Sequence, residues 1–116
     1  MTIDIFFEFL LNYLKRVEEV VRQKVEIEKS NSGFNRNSSS PYAYVSFYPH
    51  EIDLVVSLES KGEYFEISFE LMNQEGQDPE LISQFEGALS GIFFEMEDGF
   101  NEVVLKISDR LDGISG

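Results

Sequence analysis

The sequence predicts a single α+β domain over residues 1–116, with a long N-terminal helix and C-terminal helices packed on one face of a three-stranded antiparallel meander. Three patterns predict it. Apolar residues alternate along three runs between positions 42 and 71, they recur every three or four residues over 2–29, and helical stripes return after position 78.

Residues 2–29 read as one helix. Ile3, Phe6, Phe7, Leu10, Leu14, Val17, Val21 and Val25 share a face, and Thr2 is a suitable N-cap. Opposite charges four apart support the second half, Lys15 with Glu19, Glu18 with Arg22, Arg22 with Glu26 and Lys24 with Glu28. Ile5, Phe9, Leu11, Tyr13 and Val20 widen the apolar face beyond what one sheet covers, so other helices or a second copy of the chain must cover the rest. Residues 30–41, rich in Ser and Asn with one Gly and one Pro, read as a flexible loop.

The meander follows. Ile52, Leu54, Val56 and Leu58 point one way, as do Phe65, Ile67, Phe69 and Leu71. A turn at Pro49 and His50 sets Phe47 opposite Ile52, Val45 opposite Leu54 and Ala43 opposite Val56. A turn at Lys61 and Gly62 sets Leu58 opposite Phe65, Val56 opposite Ile67 and Leu54 opposite Phe69. The other face carries Tyr42, Tyr44, Ser46 and Tyr48, then Asp53, Val55, Ser57 and Glu59, then Tyr64, Glu66, Ser68 and Glu70. Tyrosine and carboxylate dominate it, no Lys or Arg falls on these three runs, and Asp53 lies opposite Glu70, a like-charge pair that stability does not require.

Residues 73–77 read as a loop, and Asp78-Pro79-Glu80 reads as a helix start with Asp as N-cap. Leu81, Ile82, Phe85, Ala88 and Leu89 form the buried stripe of that helix, weakened by Gly87, Ser90 and Gly91. Ile92, Phe93 and Met96 keep the helical phase, while Ile92, Phe94 and Met96 also alternate. Continued helix or irregular chain is the leading reading there, with a short fourth strand at 92–97 as the alternative. After Asp98-Gly99, the residues Phe100, Val103, Val104, Ile107, Leu111 and Ile114 fit a last helix with Gly113 as its C-cap; a hairpin through Asp-Gly is the competing reading.

The composition narrows function. There is no Cys, which removes disulfides and thiolate metal sites and points to a reducing cytoplasm. The N-terminal run lacks a basic leader and is broken by Asp4 and Glu8, so it reads as neither signal peptide nor membrane span; Asn37-Ser38-Ser39 is then a chance glycosylation match. The net charge is −13, and it is uneven: residues 1–58 hold eight acids and six bases, residues 59–116 fourteen acids and three bases. Such a field repels nucleic acid and anionic membranes and draws basic partners.

No residue set reads as a catalytic centre. The single His50 sits in a turn beside Glu51 with no nucleophile near it. Glu95, Glu97 and Asp98 follow no calcium-loop spacing, and Gly87-Ala88-Leu89-Ser90-Gly91 lacks the Lys and Ser/Thr of a phosphate loop. The expectation is a non-enzymatic protein with no cofactor and no metal. The Tyr/carboxylate face is the candidate recognition surface, centred on Tyr44, Tyr48, Tyr64, Glu66 and Glu70 with Asp53 and Glu59 at its rim.

In small size, strong acidity, absence of Cys and α+β build, the chain resembles small acidic bacterial toxin-immunity proteins. The resemblance is one of build over the whole chain and rests on no motif, so no site residue comes from it. It implies a cytoplasmic inhibitor that neutralises a basic toxin, such as a nuclease, by protein–protein binding. A self-associating adaptor domain, dimerising through the first helix or through an open edge at 42–48, and a nucleic-acid mimic that blocks a DNA- or RNA-binding protein are the alternatives.

Overall fold

A computed structural model describes residues 1–37, 39–73 and 79–115. The chain opens with helix α1 (Ile3–Lys24), and the Thr2 hydroxyl accepts from the Ile5 N–H at 3.2 Å, satisfying one of the amides that a helix start leaves open. The helix stops at Lys24, short of the expected Lys29. Val25 takes extended dihedrals (φ −126°, ψ 142°) while its side chain stays buried, and the Glu28 N–H then donates to the Tyr48 carbonyl at 3.0 Å. The chain has thus entered a sheet where a loop was expected.

That sheet has five strands, β1 (Lys29–Asn35), β2 (Tyr42–Tyr48), β3 (Ile52–Ser60), β4 (Phe65–Asn73) and β5 (Glu80–Gly87), all antiparallel and in sequence order. The expected meander is its centre, with one strand added on each side. β1 corrects the reading of 30–41 as a loop: it pairs along its whole length with β2, from Lys29 opposite Tyr48 to Asn35 opposite Tyr42. Its Ser- and Asn-rich sequence suffices because it lies at the sheet margin, where main-chain bonds to β2 hold it and little apolar surface has to be buried.

β5 corrects the helix read from Asp78-Pro79-Glu80; Asp78 and the loop positions 74–77 lie outside the described residues. A bulge at Ile82 explains the misreading. Ser83 pairs with Phe69 but Leu81 pairs with Glu70, so the pairing skips Ile82. Ile82 is buried and Phe85, three residues on, packs against the core, which reproduces a helical spacing inside a strand. Leu81, assigned to that buried stripe, is instead 54% exposed on the opposite face.

The register of β2 on β3 is the expected one, with Phe47 opposite Ile52, Val45 opposite Leu54 and Ala43 opposite Val56. On β4 it lies two residues further along: Leu58 faces Ile67, Val56 faces Phe69 and Leu54 faces Leu71. The connection is a four-residue loop closed by the Lys61 N–H on the Tyr64 carbonyl at 2.8 Å, with Gly62 at φ 86°. An even shift keeps every side chain on its face, so the core is unchanged.

Helix α2 (Leu89–Asp98) decides the 92–97 segment in favour of helix, and α3 (Phe100–Ser115) decides the last segment against the hairpin; α3 runs through Gly113, which is therefore not its C-cap. All three helices cover the face that presents Val45, Leu54, Val56, Ile67 and Phe69. Part of the surplus apolar side of α1, Phe9 and Tyr13, meets α2 and α3, while Ile5 stays exposed. Phe9 lies 4.4 Å from Phe93 between ring centroids, the buried Tyr13 hydroxyl donates to the Met96 carbonyl at 2.9 Å, and the Arg16 guanidinium pairs with Glu97 at 2.7 Å while lying 4.5 Å over Phe100. Burial, and next the Glu97 charge, push the Tyr13 hydroxyl well above the usual tyrosine range.

Candidate functional site: the outer sheet face

The uncovered face of the sheet carries the candidate residues. Alternation puts them there: in β2 to β4 one side of the pleat is taken by the core, so the polar residues between must face outward, and β5 continues the rows through its pairing with β4. Register then arranges them in rows. Lys29 stands opposite Tyr48, with its ammonium 5.2 Å from the ring centroid. The next row runs Asn31, Ser46, Asp53, Met72, and the one after it Gly33, Tyr44, Val55, Glu70, Leu81. Tyr42, Ser57, Ser68 and Gln84 follow. The last row, beside the β3–β4 loop, is Glu59, Glu66, Glu86.

Six of the seven expected site residues, Tyr44, Tyr48, Asp53, Glu59, Glu66 and Glu70, therefore share this face. Tyr64 does not sit on a strand; it lies in the β3–β4 loop, 41% exposed. The expected Asp53–Glu70 opposition is overturned by the two-residue shift, which places Asp53 opposite Met72 and Glu70 opposite Val55. The like-charge opposition lies elsewhere, between Glu66 and its two neighbours Glu59 and Glu86. Directly opposed side chains in adjacent strands stand about 5 Å apart at Cβ, so the three carboxylates form one short acidic ridge. Among the described residues no three His, Cys, Asp or Glu side chains converge closely enough to hold a metal ion.

Lys61 relieves part of this charge. Its ammonium lies 2.8 Å from a Glu59 carboxylate oxygen; that hydrogen bond first, and then the Glu59 and Glu66 charges, raise the lysine above its usual range. Lys29 and Lys61 are cations that the three-strand reading left off the face. Glu86 was missed because its segment read as helix. Asp53 is half-buried: its Oδ1 has no hydrogen-bond partner, and it stands across from Ser46, which is only 7% exposed.

The tyrosines cluster at the other side of the face. Tyr44 lies over Gly33, where an added Cβ would come within 2.5 Å of its hydroxyl oxygen and 2.7 Å of its ring. Gly33→Ala should therefore turn the Tyr44 ring aside while changing stability by less than about 1 kcal/mol, because the obstructing atoms are the free end of a side chain and a strand glycine is itself weakly unfavourable. Tyr44 ring-proton shifts together with a urea titration check this; unchanged shifts would contradict the stacking.

This partition has a simple origin in the chain. Residues 29–50, which make β1 and β2, contain no Asp or Glu and carry Lys29 and Arg36. The acidic remainder of the face comes from β3, β4 and β5. His50 lies in the β2–β3 turn, at the opposite end of the sheet from the Glu59–Glu66–Glu86 ridge. No helix among the described residues is long and apolar enough to cross a membrane. Comparison with protein-family models, curated proteins and solved structures finds no match.

Proposed function

We propose that this chain is a non-enzymatic binding protein of the immunity type, which neutralises a basic toxin, such as a nuclease, by docking the outer face of its sheet on the toxin's positive surface. The observation that carries the reading is the ridge of Glu59, Glu66 and Glu86 with Glu70 behind it, on a sheet face that none of the three helices covers. A fold does not need three carboxylates abreast on adjacent strands; their mutual repulsion weakens the sheet slightly. A cationic partner turns that cost into attraction, and Tyr42, Tyr44 and Tyr48 on the β2 side of the same face supply rigid contact area on which Arg or Lys side chains stack. A nuclease must present cations to grip phosphate, so an acidic ridge is a fitting plug for it, with association that is fast and weakened by salt.

The test uses the full chain as bait in extract of its own host, beside a Glu59→Gln, Glu66→Gln, Glu86→Gln triple variant. A basic protein should be retained by the wild-type chain at low salt, be lost above about 0.3 M salt, where screening shortens to a few Å, and bind the variant at least about tenfold more weakly. Capture only of neutral or acidic proteins, or capture indifferent to both salt and the three substitutions, defeats the proposal.

A further inference from the structure

The two edges of the sheet differ. Along β5 the main chain is protected: the bulge at Ile82 breaks its line, Lys106 Nζ donates to the Ile82 carbonyl at 3.3 Å, and Arg110 pairs with Glu80 at 2.5 Å. Along β1 the described residues show no such device. The strand is seven residues long, in regular register throughout, contains no Pro, and turns only Ser30, Ser32 and Phe34 toward the helix side. An unguarded regular edge is a template for another strand.

The side chains around this edge are shaped for an occupant. Phe34 is 54% exposed although one side of its ring packs edge-on to Phe7, 5.9 Å between centroids, under the Arg36 guanidinium. Because Ser32 and Ala43 are small, a groove of about 400 Å³ opens between α1 and the β1–β2 ribbon, walled by Leu11, Leu14 and Val45. The carboxylates on its rim are already engaged, Glu8 by Arg36 and Glu18 by the Ser30 hydroxyl, which also accepts from Arg22 at 2.9 Å.

We infer that β1 pairs antiparallel with β1 of a second copy of this chain, joining two sheets into one of ten strands. Charge selects this occupant and this place. Two chains of net charge −13 repel over most of their surface, but the segment 29–50 contains no carboxylate, so this edge brings two copies together without opposing acids. A two-fold axis through Ser32, the middle residue of β1, sets Ser32 opposite its own copy and Phe34 opposite Ser30 of the other copy. The exposed ring of each Phe34 then lies at the mouth of the other copy's groove, the reciprocal arrangement that a two-fold interface requires. The contact is independent of the acidic ridge, which stays open on both copies.

Sedimentation of the purified chain from about 5 to about 500 μM tests it, since small interfaces of this kind associate weakly. A monomer–dimer equilibrium is expected, weakened at least about tenfold by Ser32→Glu, which sets two acids face to face at the axis, and by Phe34→Ser. Both positions are exposed, so the monomer fold is retained, and its melting at low concentration verifies that. The chain has no Cys, so Ser32→Cys provides a register test: mild oxidation should join it into a covalent dimer, and Leu105→Cys, on the exposed side of α3, should stay monomeric. Sedimentation as a monomer throughout, a dimer untouched by Ser32→Glu and Phe34→Ser, or a dimer in which Ser32→Cys fails to cross-link would each overturn the inference. A monomer that pairs only with foreign extended peptides falls in the first class and counts against it.

Discussion

Phe69→Ala should destabilise the protein by about 3–5 kcal/mol, the range for removing a fully buried aromatic ring. Phe69 has no exposed surface, sits on the central part of β4, and meets Tyr13 of α1 at 5.9 Å and Phe85 of β5 at 6.0 Å between ring centroids. It is therefore where the helical layer, the middle of the sheet and the β5 edge touch one residue, and the void left by alanine cannot be closed by moving one of them alone. A domain of this size is stable by only about 5–15 kcal/mol, so the variant should also melt at least about 10 °C lower. The paired control is Leu81→Ala. As a strand residue on the outer face it should change stability by less than about 0.5 kcal/mol, whereas as part of a buried helical stripe it would cost several times more. Urea titration of both variants decides; a mild Phe69→Ala or a severe Leu81→Ala contradicts the packing described.

Tyr13→Phe should cost about 1–3 kcal/mol at neutral pH, because it keeps the ring but strands the Met96 carbonyl in the core without its donor. The same residue also gives a pH signature. Its folded-state ionisation lies above the unfolded tyrosine value of about 10. Below pH 10 both states hold the proton and pH has no effect through this group. Above it the unfolded chain ionises first, so stability falls as pH rises, by up to about 1.4 kcal/mol per pH unit. Tyr13→Phe should therefore lower stability at pH 7 yet flatten the loss between about pH 10 and 12. A variant as stable as wild type at neutral pH, or one with an unaltered alkaline slope, would show that the buried hydroxyl carries neither role.

The alternation over residues 42–71 made the meander, its faces and one of its two registers legible without coordinates. The second register was not legible, because a period of two matches equally well after any even shift. What selected the shift was local: the Lys61 N–H to Tyr64 carbonyl bond and the positive φ of Gly62 make the loop four residues long. β1 left almost no apolar signal, since a marginal strand beside a groove can be built from Ser, Asn and Gly. β5 gave a false signal, since the bulge at Ile82 spaced Ile82 and Phe85 as a helix would, and the acidic opening Asp78-Pro79-Glu80 seconded it. Glu86 was lost with β5, and the β3–β4 shift changed which residues of the face oppose one another, while the β2–β3 rows stand as read. The acidic opposition expected at Asp53 and Glu70 lies instead on the ridge Glu59, Glu66, Glu86.

The absence of any acid from residues 29–50 also gives the molecule a permanent dipole, with its negative end on β3 to β5 and its positive end on the β1–β2 ribbon. A body with such a moment experiences torque in the field of any cationic surface before the two touch. Toward the cationic partner proposed above, the acidic side of the sheet would then lead, and fewer collisions would be spent in useless orientations. Moving charge from one end to the other at constant net charge, for instance by exchanging Lys29 with Glu86, would leave the total attraction nearly intact and weaken the alignment.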